Sequence, residues 1–345
     1  MTPSLPALLN HYRKACRKRV ATLSKTVIVP VASRTPLGRI YEPRRLLDGL
    51  YPVLTLDDVN NEIAQRILSG EPTMVSRFGE SELRATIVAL GMSEWGWAQR
   101  AYWLSTRLER FRWTGSRFSF LASPAGFFPT DEKESILRFK EVMKDCSVQS
   151  DILGSWVAGE NLISGYQSNL EVAALGDLEP FDSLNPWTRA LAGKRVLVVH
   201  PFSDSIQRQF NARDKIFPQS RLLPEFQLTA LKPPTTFPAR ARELMKVGRT
   251  WFSELEWLKA EVARQDFEVA IIGAGAYGMP LAAHVKALGK CAIHLGGATQ
   301  LLFGIWGSRW DSSPKHVALR NDFWVRPGPQ ERPEGWKTIE AAAYW

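Results

Sequence analysis

Three short apolar runs, 195–200 (RVLVVH), 268–273 (EVAIIG) and 291–295 (CAIHL), constrain the fold of this chain more than any other feature. Each is rich in β-branched residues, apolar along its length rather than alternating, and too short for a buried helix. That is the pattern of a parallel strand covered on both faces. Helix-patterned stretches near 238–247, 250–265 and 278–288 lie between the runs, as the crossovers of parallel neighbours require. The expected fold is therefore α/β: an open, mostly parallel, Rossmann-like sheet with helices on both faces. Such sheets bind ligands at the loops leaving the C-terminal ends of their strands.

The first half of the chain continues the alternation. Residues 55–69 open with Thr55 and Asp58 in capping spacing, carry Val59, Ile63 and Ile67 on one face and close at Gly70, which predicts a helix. A strand over 73–77, a loop, and a helix over 83–90 stopped by Gly91 follow. Another helix is expected after Thr130, with Ile136, Phe139, Val142 and Met143 as its buried stripe. The organisation read from this is a basic N-terminal helix and extended lead-in (1–54), one Rossmann-like domain (55–326) and a Pro- and Gly-containing C-terminal tail (327–345). A 45% hydrophobic composition over 345 residues is ample for the core this demands.

Cys16, Cys146 and Cys291 are an odd number without CxxC or Cys/His clustering. They suggest neither a disulfide framework nor a zinc site, and a reducing cytosol fits best. The apolar part of the N-terminus is short and precedes its positive charges, unlike a secretory leader, and no apolar run approaches the ~18–20 residues of a membrane span. The expected location is cytoplasmic. A net charge of +9 raises nucleic acid, anionic membrane and phosphorylated ligands as partners. Nucleic acid is not expected, because no recognition helix, RNP-type strand or basic repeat is present. Arg13, Lys14, Arg17, Lys18 and Arg19, interleaved with apolar residues, form either a peripheral contact with anionic lipid at the inner membrane face or a solvated leading helix.

Three strand-end loops could carry chemistry. In the first, Arg77, Phe78 and Gly79 lead to Glu80 and Glu82. Two carboxylates leaving a strand through a glycine turn suit a hard cation such as Mn²⁺ or Mg²⁺, and the Arg77 fork suits phosphate. The same acids would also favour the N-terminus of the next helix through its dipole. The second loop, Gly273, Ala274, Gly275, Ala276, Tyr277 and Gly278, is a GxGxxG between a strand and a helix, the context of a phosphate turn. The next strand ends in His294, Leu295, Gly296 and Gly297, without the acidic residue that holds a dinucleotide ribose. The third loop holds His200 and Asp204 after RVLVVH, where Asp204 is as suited to capping a helix as to touching a ligand. Lys232 stands at a further strand end, a nonspecific phosphate contact. Thirteen tryptophans offer stacking surfaces for sugar or base, although most are expected in the core.

On these residues the chain resembles the GT-D glycosyltransferases, whose strand-end motif has the form RFGDGE and whose DxE carboxylates bind the metal of a nucleotide-sugar donor. Here the motif reads Arg77, Phe78, Gly79, Glu80, Ser81, Glu82. Glu80 stands where the family usually has Asp and Ser81 where Gly is frequent, so the carry-over of metal binding is closer at Glu82 than at Glu80. The segment AIIGAGAYGMPLAAHVKALGKCAIHLGGATQLLFG is similar to the family's terminal half, which completes the donor pocket. The resemblance implies a Mn²⁺- or Mg²⁺-dependent transfer from a UDP-sugar to a glycan or lipid-linked glycan of a cell-surface polysaccharide. It implies Glu80 and Glu82 as metal ligands, and Arg77, Phe78, Gly79, Lys232, Gly273, Gly275, Tyr277, Gly278, Gly296 and Gly297 around the nucleotide-sugar. His200, Asp204 and His294 remain unranked candidates for a catalytic base. Two other readings stay open: a noncatalytic nucleotide- or glycan-binding protein, and a nucleotide-dependent oxidoreductase built on GAGAYG.

Overall fold

The three apolar runs form adjacent strands of one sheet. The computed structural model describes residues 43–47, 49–107, 113–218 and 222–345, so the basic N-terminal helix expected before them lies outside the described residues. The strands are β1 (Val53–Leu54), β2 (Thr73–Ser76), β3 (Ile152–Ser155), β4 (Glu171–Ala174), β5 (Arg195–Val199), β6 (Gln227–Leu231), β7 (Val269–Ile272) and β8 (Cys291–His294). Every pairing between them is parallel, in the order β1-β4-β3-β2-β8-β7-β5-β6. This is an open, Rossmann-like α/β sheet.

Register explains why these strands are apolar throughout. Val198, Ile271, Ile293, Val75 and Ile152 face one another in a single row across five strands. That row packs with Val59, Ile63 and Ile67 of helix α1 (Leu56–Ser69) and with Ile206 of a later helix. Their chain neighbours Met74, Leu197, Ala270, Ile272 and Ala292 point to the opposite face, since successive side chains of a strand alternate. There they meet α2 (Glu80–Ser93), α3 (Trp97–Arg107) and α4 (Lys133–Ser147) on the N-terminal side of the chain. The remaining helices are α5 (Ser203–Phe210), α6 (Arg213–Ile216), α7 (Pro238–Lys246), α8 (Trp251–Ala263), α9 (Gly278–Ala287) and α10 (Pro314–Leu319).

Local signals account for the helix ends. Thr55 caps α1 through a hydrogen bond from the Asp58 N–H, and Gly70 closes it with φ +73°. The structure differs from the sequence expectation at α2. The helix begins at Glu80, with Gly79 as its N-cap, and passes through Gly91 to Ser93. Burial of Leu83, Ile87 and Leu90 outweighs the ~1 kcal/mol that an interior glycine costs. Residues 327–345, the Pro- and Gly-containing tail, pack on the sheet domain: Ile339 and Trp345 are buried in the second core face, and the Arg309 N–H donates to the Ala343 carbonyl at 2.8 Å.

The order of the strands positions the site. From β5 the chain moves outward to the edge strand β6, whereas from β7 it moves inward to β8. Loops diverging in this way leave a crevice at the strand C-termini. Among the described residues no helix is long and apolar enough to cross a membrane.

Candidate functional site

The C-terminal ends of β2, β5, β7 and β8 open on one cleft of about 460 Å³. At the end of β2, the Arg77 guanidinium lies 5.2 Å from the centroid of the Trp156 ring. Trp156 is held by its indole N–H, which donates to the Phe78 carbonyl at 2.8 Å. Phe78 itself is fully buried in the core, so its side chain supports the loop rather than lining the cleft. Desolvation lowers the pKa of Arg77, against the opposing pull of Glu82 and then Tyr344.

Glu80 and Glu82 both line the cleft, from the first turn of α2 rather than from a free loop. The Glu82 carboxylate folds back over the helix start, where a Cβ on residue 79 would collide with it. The Gly79 backbone is ordinary extended at φ −74°, and what a Cβ there would displace is the movable end of the Glu82 side chain. Glu82 accepts a hydrogen bond from the Ser81 hydroxyl at 2.7 Å. Among the described residues no group of three or more His, Cys, Asp or Glu side chains is arranged to hold a metal. A Mg²⁺- or Mn²⁺-type ion takes one or two protein carboxylates and completes its shell with water and substrate phosphate, and Glu80 and Glu82 are the carboxylates that α2 presents to the cleft.

The glycine turn after β7 meets the same cleft at Gly273 and Gly275. A Cβ at Gly273 would come within 2.6 Å of both the Gly296 carbonyl oxygen and His200 Cδ2, so the ends of three strands converge there on bare backbone. Three amides of the turn are engaged within the protein. Ala276 N–H donates to the Ala125 carbonyl and Tyr277 N–H to Ala274, both at 3.1 Å, and Gly278 N–H donates to Gly275. Tyr277 is a core residue, stacked on Trp251 at 5.2 Å and hydrogen-bonded to Thr236 at 3.0 Å. Gly278 leaves room for the His294 imidazole rather than for a ligand. Gly296 and Gly297 do line the cleft, Gly296 against Arg77.

Of the three base candidates, His200 and His294 reach the cleft wall and Asp204 does not. Asp204 sits exposed in the first turn of α5, where its charge suits the helix dipole. Burial pulls His200 down to about 3. Its Nδ1 accepts the Phe202 N–H at 3.0 Å, which leaves the proton of the neutral ring on Nε2. Burial, and then the neighbouring Arg77 charge, pull His294 to about 3 as well. Both rings are neutral near pH 7. Lys232 lies outside this cleft, in an adjoining groove.

The sequence reading missed the wall built by the C-terminal segment. Glu331, buried, accepts hydrogen bonds from the N–H groups of Ser205 and Gly328 at 2.9 Å each and from the Ser205 hydroxyl. The N-terminus of α5 thus already holds a carboxylate supplied by the chain itself. Arg309 donates to the Tyr344 hydroxyl at 2.7 Å and pairs with Glu340, and Trp345 closes this wall. The available signal was aromatic: Trp336, Tyr344 and Trp345 in a stretch otherwise rich in Pro and Gly. No family model, no curated protein and no solved structure matches this chain.

Proposed function

We propose that the cleft binds a nucleoside diphosphate-sugar, with UDP as the first nucleotide to test, and that the chain transfers the sugar to a glycan or other polysaccharide precursor. The observation that carries this reading is the meeting of Arg77, Glu80 and Glu82 with the strand-end glycines 273, 275, 296 and 297 in one cleft. Transfer breaks the bond between the sugar anomeric carbon and the diphosphate, and forms one to the acceptor oxygen. The acceptor proton is released, and the leaving diphosphate gains negative charge. Arg77, oriented by Trp156, faces that charge with its planar fork. Glu80 and Glu82 would hold Mn²⁺ or Mg²⁺, which when bound supplies Lewis-acid neutralisation of the diphosphate.

His200 takes a different part from the base considered for it. With Nδ1 already accepting a backbone N–H, it donates from Nε2 to a substrate oxygen. A nucleotide-dependent oxidoreductase is disfavoured because the end of β8, His294, Leu295, Gly296 and Gly297, offers no acid to a dinucleotide ribose. The departure at Glu80 favours one second reading, a protein of this fold that binds a nucleotide or glycan without turnover. A cytoplasmic location, with the basic N-terminal segment on an anionic membrane face, belongs to the proposal.

Thermal-shift titration of UDP, GDP, CDP and NAD⁺, each with and without Mn²⁺, tests it, because a ligand of the native state raises apparent stability by mass action. UDP with Mn²⁺ is expected to give the largest shift, and Glu82→Gln to abolish its metal-dependent part. Stabilisation by NAD⁺ alone would reject the transferase. A UDP shift without hydrolysis or transfer of any UDP-sugar would assign the binding reading instead.

A further inference from the structure

Two guanidinium groups, not one, stand over the glycines that follow β8. A Cβ on Gly296 would lie 3.4 Å from Nη1 of Arg77, and a Cβ on the next residue, Gly297, would lie 3.5 Å from Nη1 of Arg309. All four residues line the same cleft. Like charges brought together disfavour each other: desolvation is the main cause of the lowered Arg77 pKa, and the Arg309 charge adds to it. The protein answers neither charge fully. The Arg77 Nε is buried without a hydrogen-bond partner among the described residues, and Glu82 and Glu340 attract this guanidinium only through space while it stacks on Trp156. Arg309 is better held. Its Nη1 donates to the Tyr344 hydroxyl at 2.7 Å, its Nη2 lies 3.4 Å from Glu340, and the Tyr344 ring centroid is 5.2 Å from the guanidinium carbon. These contacts aim the side chain and leave part of its five-donor fork unused.

We propose that Arg309 is a second anion-binding residue of the cleft, and that with Arg77 it grips a diphosphate from two sides above Gly296 and Gly297. Two neighbouring cations favour a multiply charged ligand, because one anion then relieves the repulsion of both. A diphosphate suits them better than a single carboxylate, since it offers two sets of oxygens, each able to meet a planar fork with paired hydrogen bonds. The glycines keep the space between the forks open, where side chains would fill it. Tyr344 and Glu340 are then positioning residues, and the Glu340 carboxylate competes with the ligand for Arg309. The inference rests on the proposed function only for what the diphosphate is attached to.

Isothermal titration of the full chain with inorganic pyrophosphate, in buffer containing Mg²⁺, tests the pair directly. Arg309→Gln and Arg77→Gln are each expected to weaken binding about tenfold or more, the usual weight of a hydrogen bond to a charged group. Glu340→Gln separates binding from support. It frees Arg309 from a competing carboxylate, so pyrophosphate is expected to bind at least as tightly as it does to the parent chain. Were Arg309 only a fastener of the C-terminal wall, Glu340→Gln would weaken binding as Arg309→Gln does. That result, an Arg309→Gln affinity equal to the parent's, or no binding of pyrophosphate to the parent chain would overturn the inference. Pyrophosphate binding that responds to the three variants as expected, in a chain that does not bind UDP, would reject the nucleotide of the proposed function and leave the two-arginine site standing.

Discussion

Gly278 starts α9 with a helical φ of −59°, so its backbone asks for no glycine. The demand comes from His294, whose imidazole occupies the space a Cβ would need. Overpacking of this kind costs about 1–3 kcal/mol. Gly278→Ala is therefore expected to lower the urea midpoint accordingly, and the Gly278→Ala/His294→Ala pair to lose less than the sum of the single losses; additive losses would place the clash elsewhere. The two cleft histidines make a second prediction. Both have pKa values near 3 when folded against an ordinary 6.5. Below pH 6.5 the unfolded chain takes up protons that the native state refuses, so their contribution is fully present above that pH and is lost as pH falls toward 3. Each adds a slope approaching about 1.4 kcal/mol per pH unit. Stability followed from pH 7 to pH 4 is expected to fall less steeply in His200→Gln than in the parent chain, and parallel slopes would contradict the buried neutral ring.

At the scale of elements, legibility in the sequence followed side-chain chemistry. β5, β7 and β8 were readable because strands covered on both faces must be continuously apolar. β3 (ILGS) and β4 (EVAA) were not, because Gly and Ala carry little strand signal and register with neighbours determines them. The ends of β2 and β7 were read as strand-end loops, yet Glu80 and Glu82 stand in the first turn of α2, and the hydrogen bonds of the glycine turn were invisible. Nothing in GAGAYG announces that the Ala125 carbonyl will take the Ala276 amide. The same holds for α5, whose N-terminus is satisfied by Glu331 from over a hundred positions away. Removing that carboxylate leaves the buried Ser205 N–H without its partner, while the Gly328 N–H keeps only the Ser205 hydroxyl oxygen at 3.2 Å, a loss of about 1–3 kcal/mol. Glu331→Ala is expected to lose stability in this range and to expose the 327–345 segment to limited proteolysis. A variant equally stable and equally resistant would mean the carboxylate does not fasten the segment.

For the molecule as a whole, the sheet brings residues from opposite halves of the sequence to one opening: the arginine and glutamates after β2, the glycines after β7 and β8, and the aromatic wall of the C-terminal segment. The tryptophans divide as burial demands. Trp95, Trp103, Trp306, Trp310 and Trp324 lie in the core, while Trp156 and Trp345 reach the cleft and Trp257 the adjoining groove. Composition alone could not sort them, because that division depends on contacts distant in sequence. The central claim is that the α2 carboxylates hold a cation against a diphosphate. Diffraction from crystals grown with UDP and Mn²⁺, measured at the manganese edge, examines it most directly. The account predicts an anomalous peak in the cleft within coordination distance of Glu82 and of a UDP phosphate oxygen; UDP bound in the cleft with no manganese beside that carboxylate would contradict it.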